Sequence, residues 1–376
     1  MSTGWALAVA VTEEFLNRLA AEGIGDGIAT EPLRRRFAVP MMGEVDLEVG
    51  MTITGVTFVM AEEHGSRLLA TVHAAGVVQI HGESAMPAFP GAARVSGDVL
   101  VSPVVHLEED GAFTSVLDLA GSELVAMRFE GIDGLDTDAD AAAMMGEMLF
   151  ATVGGELFEG LAEQLGRVGL ELEAGDGDFL LEAGVAPGSA EVRVHDGSLL
   201  VGLPAAEGTD GHADVPAFGG GHLVVGLASG VLSPLVIEIA HRATGLPVPF
   251  DVEVDTRERR IGGRVRSPRL FDLPLVPDLR PGVRYTVRPR LVDGRIEVAL
   301  REAWLELPLV PGFVNEVNRI IGGMASRSPW SFSTPARRAV PVRPDSEREV
   351  DMEVTDLFVD PHGVTLVVDA HWHDDP

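Results

Sequence analysis

The chain has 376 residues, 46 % of them hydrophobic, and a formal net charge of −30. It has no cysteine, and all 28 of its basic residues are arginine, which excludes disulfides, thiolate metal clusters, thiol nucleophiles, Schiff-base chemistry and a phosphate-loop lysine. Residues 1–220 carry 36 acids and 9 arginines, whereas residues 221–376 carry 22 and 19, so no basic footprint for nucleic acid is expected and a basic partner protein suits the acidic part better.

The chain opens without a basic n-region. Its short apolar stretch, residues 5–11, runs straight into Thr12-Glu13-Glu14. That pattern reads as a strand followed by a helix and not as a secretory signal, so a cytoplasmic location is expected. No apolar run approaches the ~20 residues that span a bilayer, and no integral membrane segment is expected. Thr12 is an N-cap candidate, and Phe15, Leu16 and Leu19 fall at helical spacing behind it.

Residues 45–59, 67–81, 93–108 and 112–131 then read as the long strands of a β-meander, separated by glycine, proline and acidic turns. Residues 144–165 read as a long helix with Leu157, Phe158, Leu161 and Leu165 on one face. A hairpin over 191–203 turns at Asp196-Gly197, and a linker rich in glycine, proline and acids covers 208–220. The pattern then starts again. Val225 and Leu227 alternate like Val9 and Val11, 216 residues earlier. Ser229 stands near Thr12 in that alignment, and Val231, Leu232 and Leu235 match Phe15, Leu16 and Leu19. Strands follow at 248–254, 259–267, 282–292 and 295–307, with a hairpin turn at Asp293-Gly294. A second long helix, 313–324, carries Val317, Ile320 and Ile321, and a closing hairpin over 357–368 turns at His362-Gly363.

These elements predict an α+β protein of two tandem domains, 1–207 and 221–376 joined by the linker. Each would be a long-stranded, highly curved antiparallel sheet wrapped around long amphipathic helices. The stretches 7–17 and 309–318 carry a family resemblance. With the order of elements, they resemble the tubular lipid-binding superfamily, the fold of bactericidal/permeability-increasing protein, and its bacterial members encoded beside clostridial neurotoxin genes. The resemblance implies an apolar groove for a lipid or fatty-acyl ligand. Its wall would be Phe15, Leu16, Leu19, Leu157, Phe158, Leu161, Leu165, Val231, Leu232, Leu235, Val317, Ile320 and Ile321. The chain lacks the domain disulfide and secretion signal of the mammalian members and is acidic, so endotoxin binding is not implied.

Chemical candidates are few. His371 and His373 share a strand face at i, i+2 with Asp369 and Asp374 near, a pattern that could hold a metal but reads better as a frayed C-terminal strand, and His73, His81 and His106 fall on strands without a defined partner. The acidic run 133–140 lacks the glycine and glutamate of a calcium loop. The glycines at 219–221 precede a strand and suit a hinge. Arg34, Arg35 and Arg36 read as partners of nearby carboxylates. Arg257, Arg259, Arg260, Arg264, Arg266 and Arg269 crowd a strand–turn region, where the i, i+2 pairs Arg257 with Arg259 and Arg264 with Arg266 would line a sheet face, solvated or facing the acidic first half of a neighbouring molecule. No catalytic residue, metal or cofactor is expected. The expectation is a non-enzymatic binder of lipid or another elongated apolar ligand. The alternative is an accessory protein with vestigial grooves that stabilises a partner or toxin complex.

Overall fold

Alternation of apolar and polar residues over long stretches dictates strands, and strands dominate the computed structural model. It describes residues 4–25, 27–29, 32–39, 43–82, 89–110, 113–133, 170–172, 180–182, 184–207, 221–233, 251–266, 282–306, 331–341 and 349–372. The chain begins with β1 (Trp5–Thr12) and α1 (Glu13–Ile24), followed by the short β2 (Ile28–Ala29) and by β3 (Leu33–Val39). A meander follows: β4 (Gly43–Val59), β5 (Leu68–Gly82), β6 (Phe89–Leu107) and β7 (Phe113–Asp133), of 17, 15, 19 and 21 residues. With β2, β3, β8 (Leu170–Leu172) and β9 (Gly188–Ser189), these strands form an antiparallel sheet.

A second antiparallel sheet has the order β13 (Asp251–Arg257), β14 (Arg260–Arg266), β15 (Gly282–Val292), β16 (Arg295–Glu306) and β17 (Ser331–Pro335). The third joins both parts of the chain. Its order is β10 (Glu191–His195), β11 (Ser198–Pro204), β1, β12 (Leu223–Ala228), β20 (Gly363–Trp372), β19 (Glu349–Val359) and β18 (Arg337–Pro341). At its centre β1 runs antiparallel to β12 with Val9 directly opposite Val225. The two residues that the sequence aligns are therefore also the two that pair. One face of this central sheet carries Ala6, Ala8 and Ala10 from β1 and Val224 and Ala228 from β12, all buried. Such small side chains let Leu107, Val185 and Val231 pack close against the sheet.

Helix α1 is the 12-residue helix the sequence signals. Thr12 is its N-cap, with Oγ1 accepting from Phe15 N at 3.3 Å, and Gly25 ends it at φ 55. The helix lies against the free end of β4. There the Asn17 amide donates to Phe58 O (2.9 Å) and accepts from Phe58 N (2.5 Å), while Glu13 Oε2 accepts from Met60 N at 2.7 Å. Side chains thus complete the hydrogen bonds of a strand edge, which blunts it against pairing with other chains. A core of Ile24, Ile53, Phe58, Leu68, Val72 and Val99 fills the space beneath.

The expected α+β class, with sheets wrapped around long amphipathic helices, is corrected. The described residues are mostly strand in curled antiparallel sheets, and α1 seals one sheet end instead of being enclosed by it. The reason is period: apolar alternation sustained over 15 to 21 residues gives each strand a buried face of its own. A single 12-residue amphipathic stripe covers only what lies under three turns. The segments read as long helices, 144–165 and 313–324, lie outside the described residues, as does the linker 208–220.

Candidate ligand-binding cleft

Two turns bring the second sheet onto the central one. The β13–β14 turn places Arg259 at φ 58, a left-handed conformation that an arginine adopts at a cost. Arg259 N donates to Val359 O at 2.8 Å, and Thr256 Oγ1 donates to Pro361 O at 3.1 Å, so this turn is clamped to the end of β19. The facing β19–β20 turn is held by Asp360, whose Oδ1 accepts from His362 N and Gly363 N at 2.7 and 3.0 Å. Residues 360–362 form the loop, with Asp360 N donating to Gly363 O at 3.1 Å, so Gly363 begins β20 and does not sit in the turn that the sequence suggests at His362-Gly363. Gly363 lacks a positive φ. Its role is close approach, because a Cβ there would overlap Leu227 O. Asp196-Gly197 and Asp293-Gly294 do have the left-handed geometry of two-residue hairpins.

Between β15 and β19 the clamp leaves an open cleft of about 840 Å³, within the ~300–1,000 Å³ range of small-molecule sites. Its floor is the central sheet: Val224, Thr365 and Val367, all buried. One wall is β19, from Thr355 through Leu357, Phe358 and Val359. Phe358 is 46 % exposed, a large apolar side chain left open to solvent. The opposite wall is β15, with Arg288, Pro289, Arg290 and Leu291, and the β13–β14 turn adds Glu258 and Arg259.

Three arginines and three carboxylates line this cleft. Among the described residues Arg259, Arg288 and Arg290 have no ion-pair partner, and neither do Arg260 and Arg301 nearby. The Arg290 guanidinium, then partial desolvation, then Arg301, Arg259 and Arg260 push the Arg288 pKa below its ordinary value. The cleft's carboxylates are differently engaged: Asp356 accepts from Leu357 N at 2.8 Å and Asp360 is held within its own turn.

The residues expected to wall a groove are dispersed. Phe15 is buried with Val350 and Ala370, and Leu19 packs on the same cluster beside Trp372. Leu16 packs on the core under β4 to β6, Val231 lies with Ala228 and Leu203, and Leu232 is buried. None of these lines the cleft between β15 and β19. Leu157, Phe158, Leu161, Leu165, Leu235, Val317, Ile320 and Ile321 lie outside the described residues. The residues missed were Arg288, Arg290 and Phe358. Arg288-Pro-Arg290 alternates within a strand the sequence had already placed, so its signal was present; the apposition of Phe358 had none.

The other candidates resolve locally. Arg34 pairs with Glu48 at 2.8 Å, and Arg36 grips Asp46 with two bonds of 2.6 and 3.0 Å. Arg257 pairs with Asp255 and Arg266 with Glu253. His106 contacts Ser189 and Glu108, and His371 lies 3.3 Å from Glu353. Among the described residues the one group with metal-ligand proximity is Glu62, His195 and Asp196, all exposed. There His195 Nδ1 bonds Glu62 at 2.9 Å, and Asp196 N donates to the same carboxylate at 3.2 Å. This network holds a 3-10 turn (Glu62–His64) to the β10–β11 hairpin. No described helix is long and apolar enough to cross a membrane.

Neither a known family model nor a curated protein matches the chain. Among solved structures it is similar to lipopolysaccharide binding protein, at 10 % identity over 99 % of this chain and 100 % of that one, with a TM-score of 0.39. It is also similar to P47 from Clostridium botulinum A2, at 8 % identity over 100 % of this chain and 82 % of that one, with a TM-score of 0.32. These are a BPI-like protein and a clostridial protein, the two kinds that the order of elements and the stretches 7–17 and 309–318 resemble. At such scores neither adds to the functional reading, which rests on the cleft.

Proposed function

We propose that this protein is a non-enzymatic binder of an elongated apolar ligand, a lipid or fatty-acyl molecule, seated between the second sheet and the central sheet. The observation that carries the reading is the cleft of about 840 Å³ with a buried Val224–Val367 floor and the half-exposed Phe358 on its wall. An exposed aromatic beside an apolar floor gains on transfer of a chain from water, by about 25 cal/mol per Å² of apolar surface covered. The division into two related units is part of the same proposal. It is supported by the pairing of Val9 with Val225, because a residue opposite its own equivalent is what a local two-fold relation between duplicated units requires. The α1 face with Phe15, Leu16 and Leu19 belongs on this reading to the matching unit's core.

Native mass spectrometry of the full chain purified without detergent tests the function. The expected result is a mass excess that organic extraction removes and that added fatty acid restores. A chain of unmodified mass that takes up no acyl compound would refute it.

A further inference from the structure

We propose that the arginine rim makes the cleft selective for an anionic amphiphile, with Arg259, Arg288 and Arg290 holding an oxyanion headgroup and Leu291, Phe358 and Val367 receiving its apolar chain. The proposal rests on the binding function above and adds the ligand's chemical class. Its first support is arrangement. In a chain of net charge −30, three arginines line one cleft with Arg260 and Arg301 close enough to act on Arg288, and none of the five has a carboxylate at ion-pair distance among the described residues. Arg34, Arg36, Arg67 and Arg128 of the first sheet are each paired, whereas Arg94 there stands alone among the described residues and does not line the cleft. Mutual repulsion among unpaired guanidiniums is relieved by a bound anion, and the planar guanidinium fork suits phosphate and carboxylate oxygens.

The second support is backbone geometry. Arg259 sits at φ 58 in the β13–β14 turn, where glycine or asparagine would be less strained. The turn's clamp to Val359 fixes that residue over the cleft. The third is the acids. Asp356, Asp360 and Glu258 also line the cleft, but Asp356 and Asp360 point an oxygen at backbone N–H groups of their own turn or strand. None of the three reaches an arginine among the described residues, so the guanidiniums keep their donors free for a ligand. A second copy of this chain presenting its acidic first part could satisfy the arginines. It would leave the apolar floor and Phe358 unused, whereas a small amphiphile uses both these and the arginines.

Calorimetric titration of the full chain with dodecyl phosphate, dodecyl maltoside and inorganic phosphate, each detergent below its micelle concentration, tests the proposal. Wild type should bind dodecyl phosphate about tenfold more tightly than dodecyl maltoside, and inorganic phosphate far more weakly than either. The R288Q/R290Q variant should lose that preference while still binding dodecyl maltoside. R290Q alone, at an exposed position, should lose part of it, and circular dichroism should match wild type throughout. Equal affinity of wild type for the two detergents overturns the anionic selectivity but leaves the binding function standing. Failure of both detergents to bind overturns the function itself. Inorganic phosphate binding as tightly as dodecyl phosphate overturns the amphiphile in favour of a simple anion site. A wild-type dimer in light scattering that R288Q/R290Q dissolves, with no detergent binding, overturns it in favour of self-association.

Discussion

Arginine does different work in the two parts of this chain. In the first sheet Arg36 and Asp46, Arg67 and Glu123, and Arg128 and Asp98 face each other across or between strands. Acid is plentiful there, and these three cations are neutralised where they stand. In the second sheet Arg288 and Arg290 share a face of β15, Arg259 sits in the β13–β14 turn with Arg260 beginning β14, and the charges that lower the Arg288 pKa are other arginines. Residue type alone thus gives no role: a paired guanidinium on an exposed strand is ordinary surface, whereas unpaired ones beside an apolar floor form a site.

The largest contrast lies between packing and cleft. Leu68 is fully buried in the first sheet's core, so L68A should cost about 2–5 kcal/mol in urea unfolding. F358A removes a half-exposed ring and should cost less than about 1 kcal/mol while weakening ligand uptake. A large loss of stability from F358A would make that ring core and not cleft. Next is the strand edge. N17A strands the N–H and C=O of Phe58 and should cost about 1–3 kcal/mol, with faster hydrogen exchange at the Phe58 amide. Unchanged exchange there would mean that Asn17 does not protect the edge.

The charge contrast itself has a smaller expected effect. R36A removes an exposed ion pair and should lower stability by no more than about 1 kcal/mol. R288Q removes a like-charge neighbour and should leave the melting temperature unchanged or raise it, more so at low salt. If both variants destabilise alike, the arginines of the two sheets are equivalent and the contrast fails. The smallest effect is that of Glu62. The Asp196 backbone N–H and then the His195 side chain hold its pKa below the ordinary glutamate value. Its contribution to stability is therefore complete above the unfolded-state pKa and is lost as pH falls through the lower folded value. A carboxyl NMR titration should find Glu62 below the ordinary glutamate value in wild type and closer to it, but still below, in H195A, because the Asp196 N–H remains.

Much of the sheet was legible because period two leaves a plain trace. The strand read over 282–292 is β15 end for end, and the four long strands of the meander match to within a few residues. Thr12 was legible as a cap because a hydroxyl before two acids and an apolar stripe satisfies the first turn's free N–H groups. The balance of helix and sheet was misjudged, because amphipathic spacing tells that a stripe will be buried but not whether a sheet will enclose it. Phe15, Leu16 and Val231 show this: each is inside, yet in three separate clusters. The cleft was hidden for a different reason. Arg290 and Phe358 lie far apart in sequence, and they share a cleft only because the Arg259–Val359 clamp docks one sheet on another.

The most direct test of an apolar ligand seat at this place is photo-crosslinking of the full chain with a fatty acid bearing a diazirine on its acyl chain, followed by peptide mapping. Labelling should concentrate on the peptides that contain Leu291 and Leu357–Val359 and should fall when excess unlabelled fatty acid competes. Uniform labelling of the surface, or labelling confined to α1 and β4, would contradict the account.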